Sequence, residues 1–389
     1  MDDSDQFLIS NARSLVECRR HLHRNPELSG QEHATTAWVA TQLKQAGIPY
    51  QLGPEGRGII TGIQRDGRSK MPVIALRADM DALPIREENA VPYCSANAGV
   101  MHACGHDAHT TMLLYAMMAL QNSRPKGVAW RGIFQPSEEV GHGARDMIKH
   151  GALDGVDAVI ALHVDPNLYC GQIVVASGPQ TAFCQDFKII IRGKGGHAAR
   201  PHQTVDPVAV AAQLVTLIYQ SLPRQIDARD PLVVTIGQMQ AGHATNVIPD
   251  TALLRGTVRT YSADVSTHAR KSIDRLCKGT ALAFGATIDG TFDAMLPGVI
   301  NDPTVTAFCH RAAMALAGES HVITASSPSM GAEDFADYLT KVPGCMMRLG
   351  VRRKRKMITP LHTPTFDIDE AALPLGARLF TRVLHQWSA

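Results

Sequence analysis

Residues 101–109, MHACGHDAH, set a thiol and an imidazole two positions apart, Cys104 and His106. A thiolate and an imidazole suit borderline metals such as zinc, and a helix opening here favours the thiolate. A buried cysteine beside a helix-capping histidine is the competing reading; Asp107 adds an outer partner for a ligand. Residues 134–143, FQPSEEVGHG, place Glu138 and Glu139 side by side after an apolar run. At the carboxyl end of a strand in an open α/β sheet, where ligands bind, one carboxylate can hold a metal while the other moves protons. A solvated acidic turn is the alternative. His163 ends the apolar run ALHVD (161–165), His362 lies in LHTP (361–364), and Asp79 and Asp81 lie in RADMDALP (77–84). Singly, these read as a core histidine, a surface histidine and two turn-forming aspartates. Together the groups fall at the ends of successive apolar runs, and their number suits a pair of divalent metals with open positions.

The elements that must hold them follow from periodicity. Apolar positions at helical spacing predict a helix over 6–24, stopped at Asn25-Pro26. Buried strands are expected over 72–78, 127–134 and 158–163, with helices over 106–120 and 143–150 between them. Alternation of this kind implies a mainly parallel sheet with helices on both faces. The pattern changes near Gln185. Strands over 187–192, 232–236 and 252–260 and helices over 207–222 and 263–284 suit a compact α+β sandwich. After Pro297-Gly298 the first style resumes, with helices near 302–317 and 369–387. The expected organisation is an α/β catalytic domain, residues 1–185 and 298–389, interrupted by an inserted α+β domain, residues 186–297.

Composition narrows the function classes. The chain has 389 residues, 45% hydrophobic and 19% charged, a folded profile for which two domains is the prior. Lys plus Arg number 38 against 36 Asp plus Glu, so a net charge of +2 calls for neither nucleic acid nor an anionic membrane. No apolar run reaches membrane-spanning length. The start, MDDSDQFLISNARS, lacks a basic-then-apolar secretory pattern, and eight scattered cysteines without a C-x-x-C read as reduced thiols, so a cytoplasmic chain is expected. Histidine, at 17 residues, is the outlier.

The motifs RRHLHRNPELSGQE (19–32), ALRADMDALPI (75–85), MHACGHDAH, FQPSEE, GGHAARPH (195–202), NVIPD (246–250), GTVRT (256–260), MGAEDF (330–335) and LHTP run almost end to end. In this order the chain resembles the amidohydrolase branch of the aminoacylase and carboxypeptidase metallohydrolase family, with hippurate hydrolases, N-acyl-amino-acid amidohydrolases and auxin-conjugate hydrolases among its relatives. The resemblance implies two divalent ions per subunit, zinc or manganese foremost, with cobalt or nickel able to serve. Cys104 would bridge them, His106 and His163 would bind one, and Glu139 and His362 the other. Glu138 would be general base and then acid, and Asp81 would orient a ligand or tune that base. The insert would be a lid and dimerisation domain. There His197 resembles a histidine that reaches the partner's site in a homodimer, and Asn246 and Arg259 resemble residues that contact the substrate's carbonyl and carboxylate. The implied reaction cleaves the amide of N-acyl, aroyl or indolyl-acyl amino acids. A dipeptidase or carboxypeptidase on the same site is the alternative, with an aromatic-amine deaminase or a catalytically dead binding protein more remote. Ser137, where relatives often have alanine, and His142, in a usually glycine-rich turn, depart from the pattern.

Three further signals carry less. GKGGHA (193–198) fits a dinucleotide fingerprint but is followed at once by Pro201 where a helix would have to open. RRKRK (352–356) reads as a solvated loop rather than a nucleic-acid patch. His102 and His109 read as capping or outer support rather than ligands.

Overall fold

The computed structural model describes residues 3–65, 71–325, 327–354 and 356–387. The chain divides into two compact units. One comprises Met1–Gln180, Val299–Ser327 and Glu333–Ala389; the other comprises Thr181–Gly298 and Pro328–Ala332.

The first unit is built on an eight-stranded sheet, ordered Tyr50–Leu52, Ile59–Thr61, Ala129–Gln135, Val73–Asp79, Ala158–Tyr169, Gly344–Arg352, Ile173–Val174 and Val322–Ile323. Its four central strands run parallel. Side chains alternate between the faces of a strand, and both faces here are buried. Ile74, Leu76, Ala78, Ile160 and Leu162 enter one apolar layer; Val73, Ala75, Val159 and Ala161 enter the other. Helix His106–Ser123 is buried nearly all round, so it is an interior helix rather than the one-faced helix its sequence suggests.

Other elements also differ from expectation. The helix expected over 6–24 is broken at Asn11 into Asp3–Ser10 and Ala12–Arg24. The Asn11 side-chain amide bonds back to the Phe7 carbonyl at 2.8 Å, sharing that acceptor with its own backbone amide at 3.0 Å. Strand Ala158–Tyr169 runs six residues beyond His163, but its neighbour Val73–Asp79 pairs with it only as far as Ala161. His163 therefore sits where one edge of the strand opens. Helix His33–Gln45 carries too weak an apolar stripe to be read from sequence; the Glu27 carboxylate accepts its first amides, Ala34 at 3.1 Å and Thr35 at 2.7 Å.

The second unit is a four-stranded antiparallel sheet, ordered Leu232–Ala241, Thr251–Thr260, Phe183–Arg192 and Thr287–Phe292, with helices Pro207–Gln225 and Ala263–Phe284 completing one apolar core. Asp206 caps the first helix through the Val208 amide at 2.8 Å, with Pro207 at the first helical position. Residues 328–332 join this unit through Ala182 N–H to Gly331 O (3.1 Å), Tyr261 Oη to Pro328 O (2.7 Å) and Arg259 Nη1 to Met330 O (2.8 Å). Among the described residues no helix is long and apolar enough to cross a membrane.

Candidate metal centre

Cys104 and His106 flank Gly105, which begins helix His106–Ser123 in a left-handed conformation (φ 85°). A Cβ on Gly105 would meet Val164 Cγ2 at 2.5 Å, so only glycine lets this helix start so close to the strand bearing His163. Glu138 and Glu139 follow strand Ala129–Gln135 in a turn entered through Ser137 at φ 60°. A Cβ on Gly143 would fall 1.8 Å from Pro136 O, which lets this turn fold back tightly. His362, also at φ 60°, is tied by its own amide to Ala103 O at 2.8 Å, and so to the segment that carries Cys104.

These elements bring all five expected donors together. Ligand atoms of Cys104, His106 and His163 lie within 4.8 Å of one another, as do those of Cys104, Glu139 and His362, and those of His106, Glu138 and Glu139. Cys104 belongs to the first two groups, which makes it the common corner. Cys104 Sγ is 3.7 Å from His163 Nε2, and Glu139 Oε1 is 3.4 Å from His362 Nε2.

Hydrogen bonds fix which ring nitrogens face inward. His106 Nδ1 lies 3.0 Å from Asp81 O and 3.1 Å from Asp81 Oδ1. His163 Nδ1 lies 2.8 Å from Val164 O. A carbonyl oxygen only accepts, so Nδ1 carries the proton in both rings and each Nε2 is turned to the cluster. His106 Nε2 and Glu139 Oε1 are buried without a hydrogen-bond partner. Two orphaned buried atoms on a set of sulfur, nitrogen and oxygen donors are what a cation would satisfy, so the residues fit divalent ions.

Charge runs through the whole centre. Burial pushes the Cys104 thiol up, but the His106 charge and the close approach of the His106, His163 and His362 rings bring it down to about 7. Burial opposes a charge on His163, yet its contact with the Cys104 thiolate raises it to about 9. Close contacts with Cys104 and Glu139 raise half-exposed His362 to about 10. Burial and the nearby carboxylates of Glu333 and Asp334 push Glu138 well above the ordinary carboxylate range. Glu139 goes the opposite way: burial would raise it, and the His362 ring 3.4 Å away together with the His106 charge holds it down. Adjacent carboxyls thus differ in proton affinity because their surroundings differ.

A buried support lies beneath the site. Arg77 donates to Gln135 Oε1 (2.8 Å), Asp79 Oδ2 (2.7 Å), Glu333 Oε1 (3.1 Å) and Asp334 Oδ1 (3.0 Å). His109 Nδ1 donates to Asp79 Oδ1 at 2.6 Å, and His109 Nε2 accepts from the Val164 amide at 2.9 Å. With both nitrogens engaged, His109 braces the strand beside His163. Arg77, Glu333 and Asp334 stand in quoted motifs, but nothing in their spacing shows that one arginine gathers them. Asp107 does not reach a ligand as an outer partner. It turns to Arg19 Nε (2.8 Å) and His23 Nδ1 (2.7 Å), because the buried guanidinium and imidazole of helix Ala12–Arg24 draw it away. His102 is buried with neither ring nitrogen hydrogen-bonded, so it caps nothing.

In the second unit His197 and Asn246 are exposed neighbours, joined by the Ala198 amide to Asn246 O at 3.1 Å. Arg259 is half-buried on strand Thr251–Thr260 with its guanidinium on Met330 O. In RRKRK, Arg352 lies over the Tyr169 ring and Arg353 bonds Ile368 O at 3.0 Å; Arg355 lies outside the described residues.

Comparison with known proteins places this geometry. The family model for peptidase family M20/M25/M40 matches residues 75–386. N-acetylcysteine deacetylase of Bacillus subtilis is 38% identical over 95% of both chains. Thermostable carboxypeptidase 2 of Saccharolobus solfataricus is 38% identical over 93% of this chain and 92% of its own. The crystal structure of the Bacillus subtilis YXEP protein, described as a dinuclear metal binding peptidase from the M20 family, matches with a TM-score of 0.84 at 36% identity, over 96% of this chain and 98% of that one. The chain therefore belongs to peptidase family M20/M25/M40, and it is a metal-dependent hydrolase.

Proposed function

We propose that this hydrolase cleaves the amide bond of N-acyl amino acids, aroyl and indolyl-acyl groups included, to a carboxylic acid and a free amino acid. The observation that carries the proposal is Glu138, a buried carboxyl with raised proton affinity set within 4.8 Å of donors from His106 and Glu139. The donor set supports two ions, with Cys104 shared, His106 and His163 on one and Glu139 and His362 on the other. Zinc or manganese fits the mixed donors best, with cobalt or nickel able to serve. Bound there, the ions would acidify water, from a pKa of about 15.7 towards about 7, and polarise the scissile carbonyl. Glu138 takes the proton from the attacking water and delivers it to the leaving amine, a task suited to a carboxyl whose pKa is raised towards neutrality. Asp81 holds His106 by its Nδ1 and so keeps Nε2 directed inward.

In the same reading the second unit serves as lid and dimerisation domain of a homodimer. His197 donates to the developing oxyanion, Asn246 to the substrate carbonyl, and Arg259 offers a fork to the substrate carboxylate. Eight free thiols accord with a cytoplasmic setting. The relative described as an N-acetylcysteine deacetylase supports the acyl-amino-acid substrate, and the one described as a carboxypeptidase supports a dipeptidase or carboxypeptidase as the second reading.

Two measurements decide. A panel of hippurate-like acyl amino acids and dipeptides, run with and without chelator, is expected to show chelator-sensitive release of amino acid from the acyl substrates. Preference for dipeptides would move the assignment to the second reading. Glu138→Ala is expected to cost about 100- to 10,000-fold in turnover while two ions per chain remain by elemental analysis. Unchanged turnover would remove Glu138 from the chemistry.

A further inference from the structure

The PELSGQE stretch has no part in the chemistry above, yet it lies against the turn that bears Glu138 and Glu139. Glu32 is fully buried. Its Oε1 accepts the Ser137 amide at 2.8 Å, the Gly30 amide at 3.0 Å and lies 3.4 Å from the Ser137 hydroxyl, which also donates to it. Two residues on, the Glu139 amide donates to Asp81 Oδ2 at 3.0 Å, and the Ser29 hydroxyl donates to that same oxygen at 2.7 Å. The amides on either side of Glu138 are thus each held by a buried carboxylate, one directly by Glu32 and one by an aspartate anchored from Ser29.

The geometry gives this arrangement a purpose. Ser137 sits at φ 60°, a left-handed conformation that costs a residue with a side chain about 1–3 kcal/mol unless its surroundings enforce it. The Glu32 contact to its amide is such an enforcement. Glu32 Oε2 is buried with no hydrogen-bond partner, 3.7 Å from Arg57 Nη1, so the Oε1 side carries its hydrogen bonding. Burying a carboxyl is costly, and this one is satisfied chiefly by a turn entering the metal centre.

We propose that Glu32 is a positioning residue, pinning the Ser137 amide so that Glu138 and Glu139 leave the turn in the two directions their tasks require. The inference rests on the roles proposed above for that pair. Its requirement is an acceptor oxygen at a fixed reach rather than a charge. Glu32→Gln keeps the acceptor and the reach. Glu32→Asp keeps the acid and withdraws the oxygen. Glu32→Ala removes both.

The test compares these variants with Glu27→Ala, which disturbs the same loop through helix His33–Gln45 and touches no donor of the centre. Three quantities are read on each: kcat and KM on an N-acyl amino acid, Mn(II) affinity of the metal-stripped chain by calorimetry, and the melting temperature. Glu32→Ala and Glu32→Asp are expected to lose about 10- to 100-fold in kcat or Mn(II) affinity. KM should stay within about threefold, since the loss falls on the reacting groups. Glu32→Gln should recover most of the loss, and Glu27→Ala should lower the melting temperature alone. The inference is overturned if Glu32→Asp matches the wild type in kcat and Mn(II) affinity. It is equally overturned if Glu32→Gln is as damaged as Glu32→Ala, or if Glu27→Ala shows the same kcat loss. If the wild type turns over no N-acyl amino acid, the functional proposal fails alone; the Mn(II) affinities still decide the role of Glu32.

Discussion

The two units bury their polar groups in opposite ways. Among the described residues the buried acidic, basic and histidine side chains, including Arg19, His23, Arg77, Asp79, Asp81, His106, Asp107, His109, Glu138 and Asp334, all belong to the first unit. In the second unit the buried polar residues are neutral: Thr181, Gln185, Thr260, Ser266, Ser272 and Thr280. A core of Ile189, Leu214, Leu254 and Ile273 needs only apolar complementarity. A core that includes Arg77 with three carboxylates must satisfy each partner or become unstable. The first unit therefore spends stability on placing charge, and the second does not.

The largest expected effect breaks this contrast at its centre. Arg77→Leu leaves Asp79, Glu333 and Asp334 buried without their common cation and should cost about 3–5 kcal/mol in urea unfolding. Turnover should fall with it, because the His109 brace beside His163 loses its anchor. A cost under about 1 kcal/mol would show the cluster to be self-sufficient. Next, Leu254→Ala empties part of the second unit's core and should cost about 2–5 kcal/mol, with Mn(II) affinity unchanged. A parallel loss of Mn(II) affinity would mean that the units are not energetically separate.

Acid and base should act on the first unit, through His23 between Asp107 and Glu87. Burial would raise Glu87, but the His23 hydrogen bond and the Ser95 amide hold it at about 2, below its usual 4.5. A carboxyl depressed in the folded state contributes stability above its unfolded pKa and loses it as pH falls through the folded value. His23 is raised above its usual 6.5: burial and Arg19 oppose its charge, and Asp107 and Glu87 favour it. Its contribution is complete below 6.5 and is lost as pH rises through the folded value. Stability should therefore decline from about pH 4.5 towards 2, and Glu87→Gln should flatten that decline. An unchanged slope in the variant would assign the acid sensitivity elsewhere. The smallest effect is expected at the exposed Arg229–Asp227 pair of the second unit, where Arg229→Ala should leave the melting temperature unchanged within error.

How much of this was legible varies with the kind of constraint. The five donors stand out because Cys, His and Glu beside apolar runs have few reasons to recur together, and alternating runs revealed the parallel sheet. Glu32 and Asp334 were not legible, because a hydrogen bond to a turn amide imposes no spacing on the sequence. Asp107 misled for a related reason: adjacency to His106 suggested partnership, and only the fold shows Arg19 and His23 drawing it aside. Residues 328–332 also escaped the reading, since five residues without a helix or strand of their own leave no periodic mark.

The bare backbone at Gly105 has a mechanical consequence. The thiol donor and the imidazole of the adjacent strand ride on separate elements, and their spacing is set by how tightly the helix start seats on Val164. One added methyl would wedge the two apart, so the separation between ligands is gauged by an atom that the sequence leaves out.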